Sequence, residues 1–208
     1  MVNIALKQTA AIKVANKLFK VLEDGSATEY FGENISQLEH CLQAAQFALL
    51  SNSDDETIIG ALLHDIGQFL SFDERHTMYS EEMGDGVKVG VKSHDKLGEV
   101  YLRNLGFSEK VCILVGSHVE AKRYLTGKDK SYHDKLSQAS QASLKCQGGP
   151  YTGEQVIEFE KGAYAKEIVN MRLWDDQAKI ENYSTMPLQF YQQMIVYHLI
   201  KSPTFKIE

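Results

Sequence analysis

The sequence predicts an all-α protein, and three observations support that prediction. Apolar residues recur every three or four positions along most of the 208 residues, rather than alternating with polar residues as in β-strands. The chain contains only three prolines, so few positions forbid a helix. Residues that favour helix ends stand between the periodic segments, as Gly106 and Ser108 do.

These patterns predict nine helices. Their ranges, in chain order, are 4–23, 35–51, 54–70, 93–105, 108–125, 131–146, 153–160, 163–180 and 187–201. Each range follows the spacing of its apolar residues, and four of them also have a terminal signal. Ser53 and Glu56 have the spacing of a capping box at the start of the third helix. Gly106 suits the end of the fourth, Ser108 the start of the fifth, and Pro187 the first turn of the last.

Residues 71–92, SFDERHTMYSEEMGDGVKVGVK, interrupt this helical pattern. They are rich in charge and glycine and lack helical periodicity, so we expect a loop. Long loops in compact domains often carry function.

Length and composition indicate one globular domain over residues 1–208. The chain is 43% apolar and 24% charged, enough to bury a substantial core. Its formal net charge is −6, and no window holds a dense block of lysine and arginine, which argues against a nucleic-acid partner. An anionic ligand would therefore need a local cluster of cations.

Cysteine usage and hydropathy indicate a soluble, cytoplasmic protein. The three cysteines, Cys41, Cys112 and Cys146, share no CxxC spacing, so we expect reduced thiols. No run of 18 apolar residues predicts a membrane span, and the lysine-punctuated N-terminus does not resemble a signal peptide.

Six residues of metal-ligand type interrupt otherwise apolar helices. They are His40, His64, Asp65, His94, His118 and Asp175. One histidine on an apolar face is usually a satisfied core residue, and an aspartate beside another aspartate is usually solvated. Six such residues across five helices favour a shared metal centre, because each buried imidazole or carboxylate needs a partner. These donors suit iron, manganese or zinc, and carboxylates can bridge two ions.

The order of these residues resembles the HD superfamily of helical metalloproteins, named for the adjacent pair that His64 and Asp65 match. Most HD proteins are phosphohydrolases. Six blocks resemble a narrower group, the oxygenases that cleave 1-hydroxyphosphonates with a mixed-valent diiron centre, similar in chemistry to myo-inositol oxygenase. The blocks are EYFGENISQLEH (29–40), LLHDIG (62–67), SHDKLGEVYL (93–102), GSHVEAKRYLTGKDKSYHDKLSQAS (116–140), CQGGPYTGEQ (146–155) and MRLWDDQAK (171–179).

This resemblance implies a single HD domain whose motif-bearing part spans residues 28–180, flanked by helices in 1–27 and 181–208. It also implies two Fe ions in the Fe(II)/Fe(III) state, with O2 as co-substrate. His40, His64 and Asp175 would bind one iron, His94 and His118 the other, and Asp65 would bridge them. Adjacent helix residues point about 100° apart, which would let His64 and Asp65 serve different ions.

The implied substrate is a small organophosphonate, 2-amino-1-hydroxyethylphosphonate or its trimethylammonium analogue. The products would be glycine or betaine and phosphate. Lys122 lies one helical turn after His118 and could bind the phosphonate, as could Ser140 and Ser143 on a shared helix face. Arg172, three residues before Asp175, could clamp the substrate or anchor that carboxylate. The alternative is that these cations are solvated and these serines only pack.

Three further residues bear on substrate choice. Tyr30 and Glu33 resemble a family pair in which the tyrosine covers the O2 position of the resting iron and the glutamate recognises the substrate's amino group. Gln68 stands where well-known members often have histidine near the phosphonate, which puts the substrate in doubt. Two other functions stay open: a metal-dependent phosphohydrolase acting on a nucleotide or other phosphomonoester, and an HD-fold binding or regulatory protein.

Overall fold

The computed structural model describes residues 4–25, 30, 33–71, 91 and 93–207, and the prediction of an all-α fold is confirmed for them. These residues contain α-helices and one 3₁₀ turn but no strand. The α-helices are α1 (Ile4–Asp24), α2 (Gln37–Leu50), α3 (Asp55–Leu63), α4 (Ile66–Phe69), α5 (His94–Asn104), α6 (Glu109–Lys128), α7 (Lys130–Lys135), α8 (Gln138–Cys146), α9 (Gly153–Lys161), α10 (Ala165–Gln177) and α11 (Gln192–Lys201). The 3₁₀ turn, Leu188–Tyr191, directly precedes α11.

Helix α6 lies at the centre of the bundle. It packs against α3, α5 and α10, while α2 packs against α3 and α10. Apolar side chains from these helices, such as Leu62, Leu114 and Met171, have no exposed surface. Helices α1 and α11 pack against each other and flank this core. The site residues project from α2, α5, α6, α10 and the break between α3 and α4, so the core itself positions them.

Helix ends agree with the predicted signals at two places and differ at a third. Ser108 caps α6 by accepting a hydrogen bond from the Val111 amide, and Gly106 adopts the left-handed conformation after α5. The capping box predicted at Ser53 and Glu56 is wrong, because Asp54 is the N-cap residue of α3 and accepts from the Thr57 amide. A carboxylate one residue closer to the helix takes the role that was expected for the serine hydroxyl.

The predicted helix over residues 54–70 divides at the adjacent His64 and Asp65. Helix α3 ends at Leu63, Asp65 has φ −99° and ψ 12°, and α4 begins at Ile66. The two side chains therefore diverge at a helix break. The expected separation of about 100° between adjacent residues applies to a continuous helix, which this segment does not form.

The other differences in helix bounds are smaller. The predicted helix over 131–146 divides at Leu136 and Ser137, and Ser137 caps the second part by accepting from the Ser140 amide. The predicted loop over 71–92 lies, apart from residues 71 and 91, outside the described residues. None of the described helices is long and apolar enough to cross a membrane. Cys41 and Cys112 are buried and Cys146 is exposed, and all three are free thiols.

Candidate metal centre

The six residues of metal-ligand type converge at the centre of the bundle. They come from α2 (His40), the α3–α4 break (His64 and Asp65), α5 (His94), α6 (His118) and α10 (Asp175). None is more than 8% exposed. Six buried donors in one place need partners, since an imidazole or carboxylate buried without one is costly.

All four histidines orient their rings in the same way. Each Nδ1 lies 2.8–3.0 Å from a backbone carbonyl oxygen, those of Ala178, Ala61, Val91 and Val115 for His40, His64, His94 and His118 in turn. A carbonyl oxygen only accepts, so each Nδ1 carries the proton and donates it. Each Nε2 is left with a lone pair directed into the centre, which is how protein carbonyls prepare histidines for metal binding.

The four Nε2 atoms form two close pairs. Those of His40 and His64 are 3.1 Å apart, and those of His94 and His118 are 3.0 Å apart. Two lone pairs at this separation repel unless a cation lies between them. With metal–nitrogen bonds of about 2.1 Å, this spacing corresponds to an angle of about 90° at a shared ion, as between neighbouring octahedral positions.

Asp65 lies between the two pairs and presents one oxygen to each. Its Oδ2 is 3.8 Å from Nε2 of His40 and 3.6 Å from that of His64. Its Oδ1 is 3.2 Å from Nε2 of His94 and 3.6 Å from that of His118. Each half of the centre thus has two imidazoles and one carboxylate oxygen, and the two halves share Asp65.

Asp175 extends the half formed by His40 and His64. Its Oδ1 lies 3.3 Å from Nε2 of His40. Its Oδ2 accepts a 2.7 Å hydrogen bond from Nη1 of Arg172. The prediction left two roles open for Arg172, and this contact is the anchoring one, although Arg172 also lines the cavity above the centre.

Two residues that the sequence did not indicate complete this contact. Arg172 also donates to Asp176. Its Nε donates to the hydroxyl oxygen of Tyr132 at 3.2 Å, and that hydroxyl donates to Asp176. Asp176 directly follows Asp175, and an aspartate in such a pair is usually solvated. Tyr132 lies 40 residues before Arg172, and no local pattern marks it.

The electrostatics suit a cation. Burial alone would raise the pKa of Asp65, but the imidazoles of His64, His94 and His118 outweigh it and hold that pKa well below its usual range. Burial likewise acts to raise the pKa of Asp175, but Arg172, together with the imidazoles of His40 and His64, outweighs it and holds that pKa well below its usual range. Burial, together with His94, lowers the pKa of His118 to about 3, and burial lowers the pKa of His64. Burial acts to lower the pKa of His94 as well, but the Asp65 carboxylate, with Asp95, outweighs it and raises that pKa. The ionised carboxylates and the neutral imidazoles of His64 and His118 are in the protonation states that bind metals.

The donor set therefore fits a metal pair. Two histidines and one carboxylate with open positions form the donor set typical of non-haem iron that reacts with O2, and both halves contain it. The imidazoles have fixed tautomers and no thiolate stands among the six candidate ligands, and both features fit iron.

A cavity of about 70 Å³ opens over the centre, bordered by Asp65, His94, His118 and Asp175. Lys122, Ser140 and Gln68 also line it. Lys122 is only 3% exposed, and its Nζ donates to Oγ of Ser143 at 2.8 Å. Burial, together with Arg172, lowers the pKa of Lys122 to about 7. Gln68 accepts from the Val91 amide through Oε1.

Tyr30 lines the same cavity. Its ring stacks on His40 with centroids 3.9 Å apart, and its hydroxyl lies 3.5 Å from Oδ1 of Asp175. Burial, with Asp175 and Asp65 nearby, raises the pKa of Tyr30, so the phenol keeps its proton. Glu33 contacts Lys179, a cavity-lining residue that the sequence analysis did not single out.

Comparison with known proteins identifies the class. The HD domain model matches residues 38–147, slightly more than half of the chain. The chain belongs to the HD-domain family. The match includes five of the six candidate ligands, and Asp175 lies beyond it.

Full-length relatives narrow this class. The chain is 35% identical over 190 residues to a hydroxymethylphosphonate dioxygenase of Gimesia maris, covering 90% of this chain and 89% of that protein. It is 36% identical over 167 residues to a [1-hydroxy-2-(trimethylamino)ethyl]phosphonate dioxygenase (glycine-betaine-forming) of Leisingera caerulea, covering 80% and 81%. An uncharacterised protein of Acanthamoeba polyphaga mimivirus is 31% identical over 191 residues, covering 92% and 84%. The prediction of an HD-domain oxygenase is confirmed.

Proposed function

We propose that this enzyme uses O2 to cleave the carbon–phosphorus bond of a short 1-hydroxyphosphonate. A 1-hydroxyphosphonate and O2 give a carboxylic acid and phosphate, and the atoms balance without another reactant. The C1–H and C–P bonds break, and their electrons reduce O2. The observation that carries this proposal is Asp65, which offers one oxygen to each of two histidine pairs.

His40, His64 and Asp175 would hold one iron, His94 and His118 the other, with Asp65 bridging a mixed-valent Fe(II)/Fe(III) pair. Bound there, the pair supplies the one-electron chemistry that O2 needs and a positive charge for the phosphonate and C1-hydroxyl oxygens. The shared orientation of the four imidazoles, each with Nδ1 bonded to a backbone carbonyl, keeps Nε2 available on each. Arg172 fixes Asp175 and leaves its Oδ1 directed toward His40.

Lys122 and its serine neighbours would bind the phosphonate. The Lys122 ammonium is buried beside the centre, where a charge-assisted contact is stronger than in water. Ser143 accepts from Lys122, and Ser140 lines the cavity beside it. Gln68 can donate its amide from the same wall. This arrangement would direct the phosphonate to one side and turn C1 toward the metals.

Tyr30 would cover the centre before substrate binds. Its ring lies against His40, and its hydroxyl lies next to Asp175. A neutral phenol can move away at little electrostatic cost, and its departure would open the centre to O2 only when substrate is present. This role protects the resting enzyme from wasteful oxidation.

The test compares metal, oxygen and substrate in one series. We expect iron-loaded protein with hydroxymethylphosphonate or 2-amino-1-hydroxyethylphosphonate to release phosphate only in air, with one O2 consumed per phosphate. Zinc binds the same kinds of ligand but has no redox chemistry, so zinc-loaded protein should be inert.

A phosphomonoester such as p-nitrophenyl phosphate serves as the hydrolase control. Hydrolysis uses a metal-bound water and needs neither O2 nor a redox-active ion. Anaerobic phosphate release from this ester, with no reaction on any hydroxyphosphonate, would overturn the oxygenase proposal.

A further inference from the structure

An ion pair beside the cavity bears on substrate choice. Nζ of Lys179 lies 3.7 Å from Oε1 of Glu33, and the side chains are 16% and 27% exposed. Lys179 lines the cavity over the metal centre. A pair this sheltered is screened less by salt than a fully exposed one.

Lys179 also contacts an aromatic ring. Its Nζ lies over the Tyr30 ring, 5.7 Å from the centroid, within the range of a cation–π contact. Carboxylates and aromatic faces both recognise an ammonium or quaternary ammonium substituent. Beside this cavity, the Glu33 carboxylate and the Tyr30 ring already contact the protein's own cation, Lys179.

We propose that Lys179 makes this site select 1-hydroxyphosphonates whose substituent carries no positive charge. This inference rests on the proposed function and names its substrate class. A cationic substituent entering beside Glu33 would meet a second cation and share one carboxylate with it. A hydrogen or a short alkyl substituent needs no counter-charge and leaves the Glu33–Lys179 pair intact. The two named relatives, one for each kind of substituent, are similarly identical to this chain and do not decide the point.

The first experiment uses the iron-loaded wild-type enzyme and two substrates of equal size. 1-Hydroxypropylphosphonate and 2-amino-1-hydroxyethylphosphonate have the same number of non-hydrogen atoms and differ in the charge of the terminal group at pH 7. We expect kcat/KM for O2-dependent phosphate release to be at least tenfold higher for the neutral substrate. A preference for the amine would overturn the proposal without any variant being made.

The second experiment shifts the substrate preference from the neutral substrate toward the amine. Lys179→Met removes the ammonium and keeps a chain of similar length, so the ratio of the two kcat/KM values should move at least tenfold toward the amine. The ratio is measured on one protein, so any general loss of activity cancels. Lys179→Arg keeps the charge and should keep the wild-type preference. Adding Glu33→Gln to Lys179→Met should reverse the gain, because the carboxylate that binds the amine is then lost.

Lys161→Met is the matched control, since Lys161 also pairs with a carboxylate, that of Glu158, but on the exposed helix α9. It should leave the ratio unchanged. Turnover of both substrates with the same ratio in wild type and Lys179→Met would overturn the role of Lys179 and leave the proposed function standing. Turnover of neither substrate, nor of hydroxymethylphosphonate, would overturn both.

Discussion

At the scale of single residues, Asp65 is the side chain that the two halves of the candidate centre share. Its two oxygens face different histidine pairs, so its removal affects both halves, whereas each histidine belongs to one half. This difference gives the ligand assignment a direct test.

We predict that His118→Ala binds about one iron per chain where the wild type binds two, because the half with His94 loses a donor. Asp65→Asn should lower iron content further, because a neutral amide lacks the negative charge with which the carboxylate can bridge two cations. Metal analysis after anaerobic loading measures both. His133→Ala, a change at a partly exposed histidine outside the centre, is the control. Full occupancy in His118→Ala would show that the assignment of the second half is wrong.

Lys122 supplies a second prediction at this scale. Lys122→Ala should weaken binding of methylphosphonate, an unreactive analogue, by about 10- to 150-fold, the loss of a charge-assisted contact of about 1.5–3 kcal/mol. Because the pKa of Lys122 is lowered to about 7, the ammonium is lost as pH rises through neutrality. The wild-type advantage over the variant should therefore shrink from pH 6 to pH 8. Calorimetric titrations at both pH values measure it, and an advantage that grows with pH would contradict the assignment.

At the scale of helices, two glycines let α4 and α5 approach closely beside the centre. A Cβ on Gly67 would overlap the carbonyl oxygen of His94, and a Cβ on Gly98 would lie 2.9 Å from Val115 and 3.0 Å from Ile66. The first turn of α5 carries His94. The absence of a side chain at Gly67 therefore sets the position of one candidate ligand.

We predict that Gly67→Ala lowers the free energy of unfolding by about 1–3 kcal/mol, the usual cost of forced overpacking. It should also reduce the iron bound by the His94 half, because α5 must move away. Denaturant unfolding of the metal-free protein and metal analysis of the loaded protein separate the two effects. Gly153→Ala is the matched control, since nothing lies within 4 Å of a Cβ there. Unchanged stability and unchanged iron content in Gly67→Ala would refute this account.

At the scale of the whole molecule, the C-terminal helix α11 packs against α1 and α3 and contacts residues far from it in sequence. His198 on α11 accepts a 3.2 Å hydrogen bond from the Ser108 amide and lies 3.7 Å from Glu56. Burial lowers the pKa of His198, although Glu56 and Asp55 act in the opposite direction. The folded protein therefore favours the neutral imidazole. The contacts of this side chain join α11 to the starts of α3 and α6.

This predicts a pH dependence of stability. The unfolded chain binds a proton at His198 near pH 6.5 and the folded chain resists it, so the free energy of unfolding falls as pH drops below about 6.5. His198→Gln, whose amide oxygen can accept from Ser108, should lose less stability over the same range. The difference between the two proteins cancels the titration of other groups and is at most about 1.4 kcal/mol per pH unit. Urea unfolding at pH 7 and pH 5 measures it, and parallel losses would exclude His198 as the cause.

The sequence by itself determined the fold class and the set of candidate ligands. Helical periodicity is a local property, as are the caps at Ser108 and Gly106, so these features could be predicted from neighbouring residues. Imidazoles and carboxylates on apolar helices stand out for an equally local reason, because their burial demands a partner. Their assignment to particular ions stays a prediction.

Only the tertiary structure decided how these residues meet. The helix break at His64 and Asp65 and the division of Asp65 between two histidine pairs depend on α2, α5 and α6 arriving from distant parts of the chain. The Tyr132 contact with Arg172 and the Lys179 contact with Glu33 join residues 40 and 146 positions apart. Spacing along a helix specifies neighbours only within one or two turns, so contacts between helices follow from packing of the whole bundle.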